Sequence, residues 1–310
     1  MTLKDWINES IDRYQTQPVW LATRESALQF IYGTSRRTID PHLGTPIWES
    51  DASLVLVLDA CRVDLLREVV DDYDWLPESN DIESRWSPGA CSIDWIVRTF
   101  REHEAEAQKT AYITANPWID QDVPWKDALP ISSERFADLQ KVYETDWQDI
   151  GGGVETTPPN AVTRDTYRIC RDNPENVETV VAHYMQPHQP FKTRPEWTGE
   201  DTNLANIVDP DRHAGKCIWE RTKRGEFDPD DVWTAYRENL AWVLKWVGRL
   251  LAHTDRRVLI TADHGNGMGE FGMWGHPPGC RTSVNSTYSM GRNTCGRWAN
   301  GRTRTADGST

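Results

Sequence analysis

Residues 53–58 read SLVLVL, an almost wholly apolar run that ends directly at Asp59. An apolar run without polar alternation predicts a strand that is buried on both faces, as strands are in a parallel sheet covered by helices. Runs of the same kind predict further strands at 110–114, 177–183 and 257–261. These buried strands limit the chain to folds in which a parallel sheet forms the middle of the domain.

Helical periodicity lies between the predicted strands, at 63–70, 92–102, 160–171 and 230–253. Strands that alternate with helices predict an α/β fold, here a three-layer domain with a mostly parallel central sheet. In such domains ligands bind at the carboxyl ends of the strands. A chain of 310 residues is long enough to bury one large core of this type.

Three segments of different character predict the domain organisation. Residues 1–45 are expected to form peripheral N-terminal helices, and 46–278 the α/β domain. The stretch 192–229, rich in Pro, Asp and Gly, is expected to be an insertion at the active site rather than a linker. Residues 279–310 contain one acid, Asp307, and five Arg, unlike the acidic remainder of the chain. We interpret this segment as the product of a shifted reading frame or a similar truncation, rather than as a native flexible tail.

The charge balance narrows the class of protein. The chain has 48 acidic and 34 basic residues, a net charge of −14, and only eight of the bases are Lys. An acidic, Lys-poor surface is typical of a salt-adapted protein, with an ordinary acidic enzyme as the alternative. A protein that binds nucleic acid through phosphates carries the opposite sign, so nucleic acid is not expected as a partner.

Nothing in the sequence predicts a membrane-embedded or secreted protein. No apolar stretch approaches the roughly 18 residues needed for a transmembrane helix, and the N-terminus lacks the apolar core of a signal peptide. The six Cys residues are scattered singly without a C-x-x-C pair, which favours a reduced compartment over a disulfide framework. We therefore expect a cytoplasmic protein.

Ionisable side chains follow two of the apolar strands. Asp59 comes directly after the first strand, and Asp263 and His264 come directly after the last. Buried carboxylates at a sheet edge are costly unless they are paired or bind a metal. Two Asp and one His are suitable ligands for Mn²⁺, Mg²⁺, Ca²⁺ or Zn²⁺, so these residues are the predicted metal ligands.

Four short blocks, in order along 51–278, resemble the alkaline-phosphatase and sulfatase superfamily. The first is an apolar strand into D-x-x-R-x-D, from Asp59 to Asp64, and the last is D-H-G-x-x-x-G-E, from Asp263 to Glu270. Between and after them lie the P-H-x-P-F segment around His188 and a downstream histidine, His276. The chain is most similar in character to uncharacterised sulfatase-like proteins of halophilic archaea. The resemblance implies an alkaline-phosphatase-like domain.

In that superfamily a Ser, Thr or modified Cys at a helix N-terminus attacks the ester, and here the corresponding segment contains Cys91 and Ser92. Cys91 opens a sequence similar to the sulfatase C-x-P-x-R box, but Ile93 stands in place of Pro and Trp95 in place of Arg. Ser92 is also the better helix N-cap type, and its hydroxyl suits a hard metal. Ser92 is therefore the preferred nucleophile and Cys91 the alternative.

The resemblance implies a metal-dependent hydrolase or transferase of sulfate or phosphate esters, which works by in-line attack of a metal-activated hydroxyl. It assigns His188 and His276 to the ester oxygens or the leaving group. Arg62 either contacts the same anion or pairs with Asp64. The expected substrate is a small-molecule, glycan or lipid-head-group ester. The alternative function is a catalytically degenerate member that acts as a binding or scaffold module.

Two further histidine patterns are weaker. His183 lies inside a predicted strand and is interpreted as a packed strand residue rather than a functional one. Asp209 and His213 have the spacing that supplies a second metal in two-metal relatives, but a solvated acidic loop is the preferred interpretation.

Overall fold

A computed structural model describes residues 3–16, 18–38, 44–121, 129–198, 217–276 and 286–289. The described α-helices are α1 (Leu3–Thr16), α2 (Val19–Thr38), α3 (Val63–Val69), α4 (Ser92–Ile96), α5 (Glu104–Ala107), α6 (Val142–Thr145), α7 (Pro159–Asp172), α8 (Ile218–Lys223) and α9 (Pro229–Leu251). The described strands are β1 (Leu54–Leu58), β2 (Glu83–Trp86), β3 (Thr110–Thr114), β4 (Asp138–Lys141), β5 (Gln148–Gly151), β6 (Val154–Thr156), β7 (Thr179–Tyr184), β8 (Val258–Thr261), β9 (Gly267–Met268), β10 (Trp274–Gly275) and β11 (Ser286–Ser289).

Five strands form the central sheet in the order β4-β3-β7-β1-β8, and every pairing between them is parallel. All five residues of β1 are buried, as the unbroken apolar run predicts. Because the strands are parallel, their carboxyl ends meet at one edge of the sheet. Strands β3, β7, β1 and β8 are direct neighbours there, although long stretches of sequence separate them.

Alternate residues of β1 point into two different hydrophobic clusters. Leu54, Leu56 and Leu58 pack in a cluster with apolar residues of α3, α7 and α9. Val55 and Val57 pack on the other face with residues of α4, of the π-helical turn Val97–Arg101 and of α5. Helices therefore cover both faces, and the predicted three-layer α/β fold with a parallel central sheet is confirmed.

The sequence of the long helix α9 explains where the helix begins and which of its residues are buried. Asp228 is its N-cap and accepts a hydrogen bond from the backbone N–H of Asp230, while Pro229 occupies the first turn, where its missing N–H costs nothing. Apolar residues then recur at helical spacing and are buried against the sheet, among them Val232, Tyr236, Leu240, Val243 and Val247. The helix predicted at 230–253 is confirmed within two residues at its C-terminal end.

Two differences from the sequence prediction concern the central sheet and the helix that carries Ser92. The helix expected at 92–102 is α-helical only over Ser92–Ile96 and continues as a π-helical turn over Val97–Arg101. Strand β4 was not predicted, because its residues DLQK are half-buried and polar rather than an apolar run. An edge strand with one neighbour does not need two apolar faces.

The N-terminal helices α1 and α2 pack against each other: Trp6 Nε1 donates to the backbone oxygen of Ser26 at 2.9 Å. Lys223 of α8 forms an ion pair with Glu25 of α2 at 2.8 Å, which connects the two N-terminal helices to the remainder of the chain.

Within 279–310 the structure describes 286–289, which pair antiparallel with β2 as strand β11. The predicted domain limits and the interpretation of the tail stay predictions. In the described part of the chain, no helix is both long and apolar enough to cross a membrane.

The central position of β1 predicts that Leu56→Ala lowers the free energy of unfolding by about 2–5 kcal/mol, because the cavity left under α9 cannot collapse fully. The matched control is Ile11→Ala on α1, where the side chain is half exposed. That change is expected to cost less than about 0.5 kcal/mol. Urea denaturation followed by circular dichroism measures both, and equal effects would contradict the packing described.

Candidate metal centre and active site

Acidic and imidazole side chains from three neighbouring strands meet at the carboxyl edge of the sheet. Asp59 directly follows β1, Asp263 lies two residues beyond β8, and His183 is the fifth residue of β7. The ligand atoms of these three residues all lie within 4.8 Å of one another. Each side chain is at most 1% exposed, so the cluster is shielded from solvent. Among the described residues this arrangement could hold a metal ion.

His264 extends the cluster. Its Nε2 lies 3.6 Å from Asp59 Oδ1 and 3.5 Å from Asp263 Oδ2, and its side chain is fully buried. His183 Nε2 lies 3.8 Å from Asp59 Oδ2 and 3.6 Å from Asp263 Oδ2. The sequence-predicted ligands Asp59, Asp263 and His264 thus lie together, and His183 joins them.

The central atoms of this cluster fit a cation. Asp59 Oδ1, Asp263 Oδ2 and His183 Nε2 are buried and have no hydrogen-bond partner in the structure. Buried polar atoms are almost always satisfied, so unpaired atoms that converge on one point indicate a ligand position. Carboxylate oxygen with imidazole nitrogen is a donor set that suits Zn²⁺ or Mn²⁺.

The pKa shifts of the two carboxyl groups agree with a cation site between them. Burial raises the pKa of Asp59 from its ordinary 3.8 to about 7, and the negative charge of Asp263 adds to the rise. Burial also acts to raise the pKa of Asp263, but His264 and His183 outweigh it and lower the pKa of that carboxyl. Two adjacent buried carboxyls are thus difficult to ionise together unless a positive charge lies between them.

A second set of hydrogen bonds fixes how the cluster residues point. Tyr112 OH lies 2.8 Å from His183 Nδ1, which leaves Nε2 of that ring facing the carboxylates. Asn116 Nδ2 donates to Asp59 Oδ2 at 2.7 Å. The backbone N–H groups of Ala60 and His264 donate to Asp263 Oδ1 at 2.9 and 2.8 Å. Such outer partners hold ligands in position before a metal binds.

Ser92 presents its hydroxyl to the cluster. Its Oγ lies 3.3 Å from Asp59 Oδ2 and 3.2 Å from His264 Nε2. The expectation that Ser92 is the N-cap of α4 is wrong: Cys91 occupies that position and makes no side-chain capping hydrogen bond, while Ser92 is the first helical residue. The hydroxyl is directed at the cluster instead of at the helix backbone.

Cys91, the alternative nucleophile, is placed differently. It is 6% exposed and belongs to the hydrophobic cluster beneath the sheet together with Val57 and Ile93. Asp59, Ser92, His188 and His276 are among the residues that line the cleft at the sheet edge, and Cys91 is not. Its position therefore favours packing, whereas the position of Ser92 favours chemistry.

His188 and His276 lie together at the mouth of the cluster. Their Nε2 atoms are 3.1 Å apart, and the ring of His276 is centred 4.4 Å from that of His264. Burial lowers the pKa of His188. Burial, followed by the imidazoles of His264 and His188, lowers the pKa of His276 well below its usual range. Both rings are therefore neutral near pH 7, so each can donate one hydrogen bond and accept another.

Arg62 makes the ion pair that the sequence left as an alternative to an anion contact. Its Nη2 lies 2.5 Å from Asp64 Oδ2 and 2.7 Å from Glu270 Oε1, and its Nη1 donates to the backbone oxygen of Asn266 at 2.7 Å. The guanidinium thus ties the first sequence block to the last. Contact with a substrate anion stays a prediction for Arg62, which is not among the residues lining the cleft.

A cleft of about 290 Å³ leads from solvent to the cluster. The inner end of the cleft is formed by Asp59, Ser92, Asn116, His188 and His276.

Two residues of the site, His183 and Asn116, were not predicted from the sequence. His183 sits inside a strand with apolar neighbours, so it looked like a packed residue. Asn116 follows the end of β3 by two residues, and that strand-end position was a signal that could have found it. The pattern at Asp209 and His213 lies outside the described residues.

Comparison with known proteins does not assign the chain to a family. No family model matches it, and no curated protein matches it. Among solved structures, the soluble domain of lipooligosaccharide phosphoethanolamine transferase A from Neisseria meningitidis has 10% identity and a TM-score of 0.46, covering 80% of this chain and 79% of that chain. The periplasmic domain of phosphoethanolamine transferase EptC from Campylobacter jejuni has 13% identity and a TM-score of 0.46, covering 77% and 78%.

The zinc complex of the corresponding Escherichia coli domain has 8% identity and a TM-score of 0.42, covering 79% of this chain and 74% of that chain. Identities and TM-scores this low decide neither family nor activity. The resemblance to halophilic archaeal proteins, salt adaptation and a cytoplasmic location therefore stay predictions.

The cluster predicts that divalent cations stabilise the protein. At a concentration 100 times the dissociation constant, Zn²⁺ or Mn²⁺ should raise the free energy of unfolding by about 2.7 kcal/mol. Asp59→Asn should abolish this gain, while the metal-free variant stays at least as stable as the wild type because one of two repelling buried charges is gone.

The control is Asp71→Asn, an exposed carboxylate in the turn after α3, which should keep the full gain. Thermal melts with and without metal measure the stabilisation of each variant, and metal content after dialysis measures how much metal each variant binds. Equal metal stabilisation in wild type and Asp59→Asn would contradict the assignment.

Proposed function

We propose that this protein is a metal-dependent enzyme that cleaves or transfers phosphate or sulfate esters through Ser92. The observation that carries this proposal is the position of the Ser92 hydroxyl, within 3.3 Å of both Asp59 and His264 at the edge of a buried, unsatisfied ligand cluster. Ser92 is the first residue of α4 rather than its N-cap, and its hydroxyl faces the cluster and lines the cleft.

Asp59, His183, Asp263 and His264 are the residues that would hold the metal. When bound, a divalent cation supplies the positive charge that acidifies a neighbouring hydroxyl and offsets negative charge on the ester. The described residues that line the cleft include no Lys or Arg. An anionic phosphoryl or sulfuryl group would thus find its positive charge at the cluster and its hydrogen-bond donors on the histidines.

The chain's own residues then supply nucleophile, orientation and proton transfer. Asp59 Oδ2 accepts the hydrogen bond of the Ser92 hydroxyl and so holds its oxygen at the end of the cleft. Attack by this oxygen forms a bond to phosphorus or sulfur as the ester bond on the opposite side breaks. His276, whose Nε2 lies 3.1 Å from that of His188, is placed to donate a hydrogen bond to the departing oxygen, which takes up the proton that Ser92 releases. Water or another alcohol then accepts the group from Ser92.

The nucleophile can be tested by Ser92→Ala. This change should lower kcat on 4-nitrophenyl phosphate or 4-nitrophenyl sulfate, assayed with Mn²⁺, by at least about a thousandfold. Cys91→Ala should keep kcat within about tenfold of the wild type, because this side chain packs in the core. Melting temperature and metal content of both variants control for misfolding. Loss of turnover in Cys91→Ala alone would reverse the assignment.

The histidine pair gives a second test. His276→Ala removes the hydrogen-bond donor at the departing oxygen, so kcat should fall by about a hundredfold. The decrease should be smaller for esters with better leaving groups, whose departing oxygen needs less stabilisation. His253→Ala, at an exposed histidine after α9, is the control and should leave kcat unchanged. Wild-type protein that binds metal yet turns over neither ester would favour the alternative of a binding or scaffold module.

A further inference from the structure

The outer part of the cleft differs in character from its inner end. Glu155, Thr157, Gln189 and Thr198 also line the cleft, but most of the accessible surface of the lining is apolar. The apolar and aromatic residues of this part are Ala115, Pro117, Trp118, Trp147, Met185 and Pro190. Any group joined to an ester held at Ser92 must extend along this surface.

These residues come from separate parts of the chain that the fold brings together. Ala115 and Trp118 belong to the segment that follows β3, and Met185 and Pro190 to the segment that follows β7. Trp147 precedes β5 and is 46% exposed. A large aromatic side chain left exposed beside a reactive site, rather than packed in the core, indicates a contact surface for a ligand.

Charge disfavours one large group of occupants. The described lining has no Lys or Arg, and it contains the exposed carboxylate of Glu155. The whole chain carries a net charge of −14. Along the described lining, a second phosphate, sulfate or carboxylate on the alcohol side of the ester would face Glu155 without a cationic side chain to offset its charge, which disfavours nucleotides and polysulfated sugars.

Size sets a second limit. The volume of about 290 Å³ must also accommodate the reacting group. An apolar cavity of roughly 150 Å³ holds one benzene ring. The remaining space therefore suits one six-membered ring or a short hydrocarbon chain, and any longer part of a substrate would extend out of the cleft into solvent.

We infer that the cleft between Trp118 and Trp147 selects esters whose alcohol portion is a small, uncharged, apolar ring. This inference rests on the proposed function, because it takes the reacting end of the ester to be at Ser92. The aromatic side chains supply contact area for the ring, and the polar groups at the inner end are left for the phosphoryl or sulfuryl group. A hydroxylated sugar of equal size would lose water from its hydroxyls against a surface that is mostly apolar.

Cyclohexylmethyl phosphate and glucose 6-phosphate test this preference. Both esters leave as a primary alcohol on a six-membered ring, so they differ chiefly in the ring hydroxyls. We expect kcat/KM for cyclohexylmethyl phosphate to exceed that for glucose 6-phosphate by at least about tenfold. The corresponding pair of sulfates is used in parallel. Equal values, or a preference for the sugar ester, would overturn the inference while leaving the proposed function intact.

Trp147→Ala should reduce this preference about tenfold, chiefly through KM, because it removes a large aromatic part of the contact surface. Trp20→Ala is the matched control: Trp20 lies on α2, is 68% exposed and is not among the residues that line the cleft. It should leave the preference unchanged. Melting temperatures show whether both variants are folded. If the ratio of kcat/KM for the two esters is identical in wild type and Trp147→Ala, the preference does not come from this surface, and the inference is wrong.

A binding measurement separates failure of this inference from failure of the proposed function. Saturation-transfer NMR with phenol and metal-free protein should show contact in the wild type and in Trp20→Ala, and a markedly weaker signal in Trp147→Ala. If no ester is turned over but this pattern appears, the proposed function is wrong and the apolar site stands. If no contact appears in the wild type, the apolar site is wrong, whatever the turnover.

Discussion

Two buried carboxylates, Asp59 and Asp263, lie side by side at the edge of the sheet, and the rest of the site is arranged around them. Neighbouring parallel strands β1 and β8 bring them together, since each carboxylate follows the end of its strand. Their mutual repulsion opposes folding unless a positive charge lies between them. The hydrophobic clusters on both faces of the sheet supply the stability that lets such a charged group be held in place.

The parts of this structure that could be predicted from sequence are those with a local signal. An unbroken apolar run marks a strand covered on both faces, and an Asp directly after it marks the strand end, so the fold class, Asp59, Asp263 and His264 could be found. His183 could not, because only the strand order places β7 beside β1 and turns this ring toward the carboxylates. Strand order depends on contacts between distant segments, which periodicity does not reveal.

The inner and outer ends of the cleft offer different chemical groups to a substrate. Charge and hydrogen-bond donors are concentrated at the inner end, where Ser92, His188 and His276 meet the ligand cluster. The outer end offers a mostly aromatic and aliphatic surface with a few neutral polar groups and a carboxylate, but no described cationic side chain. An ester with one anionic group and an apolar remainder satisfies both ends. Asn116 links them, because it binds Asp59 and stands at the start of the segment that contains Trp118.

The most direct test of the metal centre is anomalous X-ray diffraction from crystals soaked in Mn²⁺ or Zn²⁺. We expect one strong anomalous peak between Asp59, His183, Asp263 and His264, within about 2.0–2.3 Å of their nearest oxygen or nitrogen atoms. Absence of a peak at this position, with these side chains arranged as described, would contradict the assignment of the cluster as a metal site.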